Sequence, residues 1–242
     1  MSDPYHYVGD ELDLFAAAVR WKAYFRRRIA PYLGAEVLEV GAGLGGTTRA
    51  LCRGTERRWV CLEPDPTLAA RLDAERAAGR LPAGCEVVVG TLEDRLRDDQ
   101  FDSVLYMDVL EHIDDDRGEA MRAARRVATG GHLIALSPAH QWLYTPFDRA
   151  IGHCRRYTRE SLGALAPEGL ELAWIGYLDS VGLAASLANK LLLRQAMPTA
   201  AQVRFWDRTL VRMSEWVDPA LGFRAGKSVL AIWRRPGGPD GS

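Results

Sequence analysis

The chain lacks most of what would mark an exported, membrane-spanning or polyanion-binding protein. Its four cysteines, Cys52, Cys61, Cys85 and Cys154, show no C-x-x-C spacing, which argues against a disulfide framework or a thiolate metal site. They read as reduced thiols, Cys61 lying in an apolar run where a small hydrophobe packs well. No basic segment followed by an apolar stretch opens the sequence, so no secretory signal is expected and a cytoplasmic location is predicted. The most apolar late stretch, 178–193, is interrupted by Asp179, Asn189 and Lys190. It falls short of the ~20 apolar residues that a spanning helix needs, so no stable membrane insertion is expected. Charge of one sign is also missing. With 31 Lys and Arg against 32 Asp and Glu the net charge is −1, which leaves no overall basic field and disfavours a polynucleotide partner, so none is expected. Lysine itself is scarce, occurring only at Lys22, Lys190 and Lys227.

What is present suffices for a sizeable core: 242 residues, of which 48% are hydrophobic and 26% charged. Leu12, Phe15, Val19, Ala23, Ile29 and Leu33 recur at roughly helical spacing before Pro31 and Gly34, predicting a helical cap over 1–34. Short apolar or β-branched runs follow at 35–40, 58–63, 85–90, 102–107 and 132–137, each separated by helix or loop, and this alternation means parallel strands with crossover helices. The segment 137–157 has no clean period and mixes aromatics, His, Asp and Arg, so it reads as a long, chemically loaded loop. Thr158 then caps a short helix, and strands are expected at 171–177 and 227–233. Between them lies an insertion, 178–226, whose Val203, Trp206, Leu210, Met213 and Val217 form one helical stripe. That stripe fits a lid over a pocket or a subunit interface, leaving monomer and homodimer both open. Residues 234–242 read as a frayed tail.

The segment 37–48, VLEVGAGLGGTT, places Gly41, Gly43, Gly45 and Gly46 between a strand and a helix, where a backbone turns tightly against a ligand. Gly41, Gly43 and Gly46 also satisfy the dinucleotide fingerprint, and Glu63 stands about 20 residues on, where a carboxylate takes ribose hydroxyls. Glu39 favours a cofactor carrying an ammonium and a sulfonium over an anionic pyrophosphate. Thr91, Leu92 and Asp108 close the third and fourth strands, where ligands lie across an open sheet.

On these residues the chain resembles the class I S-adenosylmethionine-dependent methyltransferases along nearly its whole length. The resemblance implies one domain over 1–242, an α/β Rossmann-like fold with a seven-stranded, mostly parallel sheet whose last strand is antiparallel, and S-adenosyl-L-methionine as cofactor. It implies that Gly41, Ala42, Gly43 and Gly45 line the methionine end, that Glu63 holds the ribose, that Pro64, Thr91 and Leu92 flank the adenine, and that Asp108, Val109 and His112 floor the reaction site. The family often has Asp where this chain has Thr91. The run from 137 to 158 and the last strand are similar to a bacterial set of methyltransferases associated with glycosyltransferase or secondary-metabolite genes.

Methyl transfer to O, N or C of a small molecule, possessing an apolar body and made by a bacterial secondary pathway, is the expected activity. A cofactor-retaining cyclase or scaffold and a dehydrogenase are the rivals. The protein's task is to align the acceptor and remove a proton, for which His140 after the fifth strand and His153 near Asp148 are the candidate bases. Trp21, Tyr24, Trp142, Tyr144 and Trp206 are expected at the acceptor mouth, with Asp148, Arg156 and Tyr157 beside His153. Asp108, Glu111, His112 and His153 resemble the set with which some metal-assisted methyltransferases hold a divalent ion. Asp108 is shorter than the Glu usual there, and no metal is expected.

Overall fold

The computed structural model describes residues 11–82, 84–95, 99–188 and 199–237. Two helices, α1 (Glu11–Ala16) and α2 (Val19–Ile29), precede the sheet. Trp21, Tyr24, Phe25 and Ile29 make one buried face of α2 by their spacing of three and four. Strands and helices then alternate: β1 (Glu36–Val40), α3 (Gly46–Leu51), β2 (Arg58–Glu63), α4 (Pro66–Ala77), β3 (Cys85–Val89), α5 (Leu92–Arg95), β4 (Phe101–Met107), α6 (Asp116–Ala124) and β5 (Val127–Pro138). Helix α4 starts where it does because the Asp65 carboxylate accepts from the Thr67 and Leu68 amides, with Pro66 in the first turn. Two short helices, α7 (Pro146–Ala150) and α8 (Arg159–Gly163), lead to β6 (Glu171–Leu178), and β7 (Ser228–Arg234) closes the sheet.

The seven strands lie in the order β3-β2-β1-β4-β5-β7-β6. The first five pair in parallel, and β7 runs antiparallel to both β5 and β6, as expected. Alternate residues of each central strand feed two hydrophobic layers, Leu38, Val60, Tyr106 and Leu133 on one face, Val37, Trp59, Leu105 and Ile134 on the other. Burial on both faces is what the near-continuous apolar strand runs encode. Strand β5 begins five residues earlier than expected, at Val127, because a register shift against β4 between Phe101 and Ser103 absorbs the Thr-Gly-Gly stretch that reads as a turn. The aperiodic segment after β5 contains α7, which begins with a capping box formed by Thr145 and Asp148.

The insertion between β6 and β7 consists of α9 (Ser180–Ala188), α10 (Ala200–Phe205), a π-helical turn at Trp206–Leu210 and α11 (Val211–Ala220), with 189–198 outside the described residues. Its buried face differs from the expected stripe. Val203 is buried and Trp206 half-buried, but Met213 and Val217 are exposed, and Asp207, Val211, Ser214 and Asp218 turn inward instead. The wide turn at 206–210 shifts the helical phase, and the inward face is largely polar. The Asp207 carboxylate accepts from the Trp21 and Arg20 amides at 2.8 and 3.2 Å, capping α2, whose own Ala18 has no capping group. Asp218 accepts from the Tyr24 hydroxyl at 2.6 Å, from the Asp179 and Ser180 amides and from the Ser180 hydroxyl. Of the expected tail, Arg234 ends β7 and 238–242 lie outside the described residues. Among the described residues no helix is long and apolar enough to cross a membrane.

Because Asp207 satisfies two helix-start amides, Asp207→Ala should destabilise the protein by about 1–3 kcal/mol, the cost of a lost cap and buried unpaired donors. Met213→Ser, on the exposed face, should change stability by no more than about 0.5 kcal/mol. Urea denaturation midpoints of the two variants check the contrast.

Candidate active site

A cavity of about 1200 Å³ opens at the carboxyl ends of β1 and β4, where the strand order reverses. Its first wall is the glycine loop. The amides of Gly41 and Ala42 both donate to the Leu62 carbonyl, tying the loop to β2. Gly41 has φ +69°, and a Cβ there would lie 2.6 Å from a Val109 methyl; Gly45 has φ +70°, and a Cβ would lie 2.6 Å from Leu72. Only glycine meets both the backbone and the space requirement at these two positions. The Glu63 carboxylate ends β2 and lines the cavity, accepting from the Gly43 amide at 2.8 Å and the Asp65 amide at 3.0 Å. Burial pushes its pKa up against those two hydrogen bonds, and each oxygen keeps a lone pair for a ligand hydroxyl. Ala42, Pro64, Thr91, Leu92 and Val109 line the same part of the cavity.

Glu39 is placed differently. Its carboxylate is 1% exposed, does not line the cavity, and accepts from the Thr48 hydroxyl at 2.7 Å and the Trp59 indole at 2.9 Å. Burial raises its pKa to about 7. It anchors the glycine loop from beneath. Asp108, at the end of β4 with φ +58°, does face the cavity, and its carboxylate makes no hydrogen bond among the described residues. Surrounded by protein although open to the cavity, it is pushed up to about 6 by burial, with His153, Lys22 and Lys227 pulling it down.

The opposite wall centres on Asp148, fully buried in the first turn of α7. It accepts from the Thr145 amide and hydroxyl, from His153 Nδ1 at 3.0 Å, and from Arg156 Nε and Nη2 at 2.7 and 3.0 Å. Burial would raise its pKa, but the hydrogen bonds from His153 and Arg156 outweigh it and hold the carboxyl far below the usual range. With Nδ1–H committed to Asp148, His153 offers the Nε2 lone pair, and its ring lines the cavity. Tyr144 donates to the His153 carbonyl at 2.6 Å and lines the cavity as well. His112 packs edge-on against His153 at 4.6 Å, burial pushing it down to about 4. Glu111 is fully buried, neither oxygen has a hydrogen-bond partner among the described residues although His153 Nε2 stands 3.9 Å from Oε1, and burial followed by the Asp108 charge raises it well above the usual carboxylate range. Donor atoms of Glu111, His112 and His153 lie within 4.8 Å of one another.

His140 stands outside the cavity lining. Its Nε2–H donates to the Gly226 carbonyl at 3.0 Å, and its ring lies between Trp142 and Tyr177. Two other expected mouth residues also turn away: Tyr24 is buried on Asp218, and Tyr157 is buried with its hydroxyl on Asp116 and the Leu110 carbonyl. Trp142 is 49% exposed outside the cavity, whereas Trp21, Trp206, Asp148 and Arg156 line it. From the insertion, Val203, Trp206 and Leu210 line the cavity. Lys22 and Lys227 line the cavity and were missed; their signal was that two of the chain's three lysines stand at a helix start and a strand start near the loaded loops.

Residues 38–135 match the family described as methyltransferase domain. The domain over these residues is that of a class I S-adenosylmethionine-dependent methyltransferase. It is 32% identical over 202 residues, 78% of its length and 51% of the relative's, to a chloroplastic protein of Oryza sativa subsp. japonica named as a probable tocopherol O-methyltransferase. It is 30% identical over 116 residues, 46% of its length and 45% of the relative's, to the ubiquinone biosynthesis O-methyltransferase of Cronobacter sakazakii. The chain thus spans about half the length of the curated relatives it matches. The N-methyltransferase NodS from Bradyrhizobium japonicum WM9 shares the fold, with a TM-score of 0.56 at 16% identity over 90% of this chain and 97% of that one.

S-adenosylmethionine is the cofactor of this family, and the residues present fit it. The carboxylate of Glu63 suits a ribose, the uncommitted carboxylate of Asp108 suits the cofactor's positive charge, and the side-chain-free glycine loop leaves room between them. Glu63→Ala should therefore weaken binding of S-adenosyl-L-homocysteine by about 1.5–3 kcal/mol, as for lost hydrogen bonds to a charged group, measured by calorimetry. Glu39 gives a pH test. Its folded-state pKa of about 7 exceeds the ordinary carboxylate value of 4.5, so the native state holds a proton that the unfolded state releases, and stability falls as pH rises through that window. The loss amounts to at most about 3 kcal/mol. Glu39→Gln keeps an acceptor for Thr48 and Trp59 but has no proton to lose, so its melting temperature should vary less between those two pH values.

Proposed function

We propose that the protein transfers the methyl group of S-adenosylmethionine to a hydroxyl oxygen of a small, largely apolar acceptor, with His153 taking the proton. The observation that carries this reading is the Asp148–His153 pair: Nδ1–H is fixed on a buried carboxylate, and the ring lines the cavity with its free Nε2 3.9 Å from Glu111 Oε1. The sulfonium of the cofactor supplies an activated methyl, so the protein's work lies in alignment and proton removal. Asp148 holds the imidazole in the tautomer that accepts at Nε2 and stabilises it once protonated. Arg156 keeps Asp148 ionised, and Tyr144 fixes the backbone that carries the ring. Trp21, Phe15, Phe147 and Trp206 supply an apolar wall that excludes water from the acceptor. Both curated relatives are named as O-methyltransferases, which supports oxygen as the atom. A bacterial secondary metabolite is the acceptor type we favour.

The proximity of Glu111, His112 and His153 favours a second reading, in which a divalent ion held by these three donors orients the acceptor. The two readings assign His153 Nε2 to different partners. Incubation with methyl-labelled cofactor and a panel of phenolic and hydroxylated acceptors should yield labelled ether product. Under the first reading His153→Ala lowers turnover by about 10²–10⁴-fold, the range for loss of a general base, and His140→Ala leaves it near wild type. Turnover abolished by chelator and restored by magnesium would instead establish the metal.

A further inference from the structure

The cationic side chains lining the cavity are Lys22, Arg49, Arg122, Arg156 and Lys227. Four of them already have an oxygen: Lys22 donates to the Phe15 carbonyl at 2.8 Å, Arg49 to the Leu44 carbonyl at 3.0 Å, Arg122 to Glu119 at 2.9 Å and Arg156 to Asp148 at 2.7 Å. Lys227 differs. Its Nζ makes no hydrogen bond and no ion pair among the described residues, and it stands over the Trp206 ring, 4.3 Å from the centroid. Burial lowers its pKa, Asp179, Asp108 and Asp148 act to raise it, and Arg156 adds to the lowering. Of those carboxylates, Asp179 is committed to Trp206, Ser214 and the Gly182 amide and Asp148 to its own five donors, while Asp108, though uncommitted, makes no hydrogen bond or ion pair with the ammonium among the described residues. A half-buried ammonium with no acceptor at hydrogen-bond distance is left for an oxygen that a ligand supplies.

The position says which ligand. In the sheet β7 is three strands from β1, roughly 14 Å at the usual strand spacing. Lys22, its ammonium on the Phe15 carbonyl, stands by the glycine loop, its Cε 3.2 Å from where a Gly46 Cβ would lie, so a cation already stands at that end of the cavity. Lys227 directly precedes β7 and stands against Trp206 of the insertion, at the part of the cavity away from the glycine loop.

Resting on the methyl-transfer reading, we propose that Lys227 and Trp206 form an anion subsite for the acceptor, so that the substrate class is an apolar, ring-bearing molecule with an anionic oxygen group, carboxylate or phenolate, apart from the oxygen methylated. The ring packs against Trp206 while the anionic oxygen takes the Lys227 ammonium, a charge-assisted pair inside an apolar wall. His153, across the cavity, then meets a second oxygen of the same molecule.

The test is equilibrium binding, read without turnover. Benzoate and its neutral counterpart benzamide are titrated calorimetrically into the protein saturated with S-adenosyl-L-homocysteine. Wild type should bind benzoate at least about tenfold more tightly than benzamide, the gain expected of one charged hydrogen bond. Lys227→Met should lose that preference while keeping its affinity for S-adenosyl-L-homocysteine, and Lys227→Arg should retain it. Equal binding of the two probes by wild type, or an unchanged preference in Lys227→Met, overturns the proposal. So does a preference seen only without S-adenosyl-L-homocysteine, which would assign Lys227 to the cofactor's carboxylate. Because no methyl is transferred, these outcomes stand apart from whether His153 is the base.

Discussion

The buried carboxylate of Asp148 draws together Thr145, His153 and Arg156, residues from both ends of a twelve-residue span that has no regular period. Without it the amide start of α7, the tautomer of His153 and the orientation of Arg156 would all be undetermined. An ionised carboxylate at zero exposure is expensive, and here the cost is met by donors on every side, two of them cationic or able to become so. Local folding and site chemistry thus depend on one group. The capping box that begins α7 is the same interaction that aims an imidazole into the cavity.

A second set of buried acids performs the corresponding task for the roof. Asp207, Asp218 and Asp179 join the insertion to the start of α2, to Tyr24 and to the end of β6. Apolar burial alone would let a helix slide or rotate against its neighbour, whereas carboxylates seated on backbone amides fix one register. The π-helical turn at Trp206–Leu210 belongs to this arrangement, since it lets Trp206 reach Asp179 while Asp207 reaches α2.

The sheet was legible because a strand buried on both faces must be apolar almost throughout, and no other element of that length reads so. The glycine loop and Glu63 were legible because close backbone approach and ribose recognition restrict residue choice. Three things were not. The inward face of α11 is polar, so a search for apolar periodicity selected Met213 and Val217 on the wrong side. His140 and His153 stand in equally promising contexts, and only the path of the backbone sets one ring against the Gly226 carbonyl and the other into the cavity. Glu39 lies next to the glycine loop in sequence, yet strand alternation points its side chain to the Thr48 and Trp59 side of the sheet.

The division of the insertion into a polar inner seam and an apolar outer face has a consequence for how such a protein diversifies. Residues that seat the roof, such as Asp207 and Asp218, are separate from those that shape the pocket, such as Val203 and Leu210, and from those that meet solvent, such as Met213 and Trp216. Substitutions can therefore accumulate on the pocket side without unseating the helix, and on the outer side without altering what the pocket admits. The sheet, the glycine loop and the acid that meets the ribose stay outside this traffic. Changes of substrate and changes of surface company are left free to proceed on different faces of a single helix.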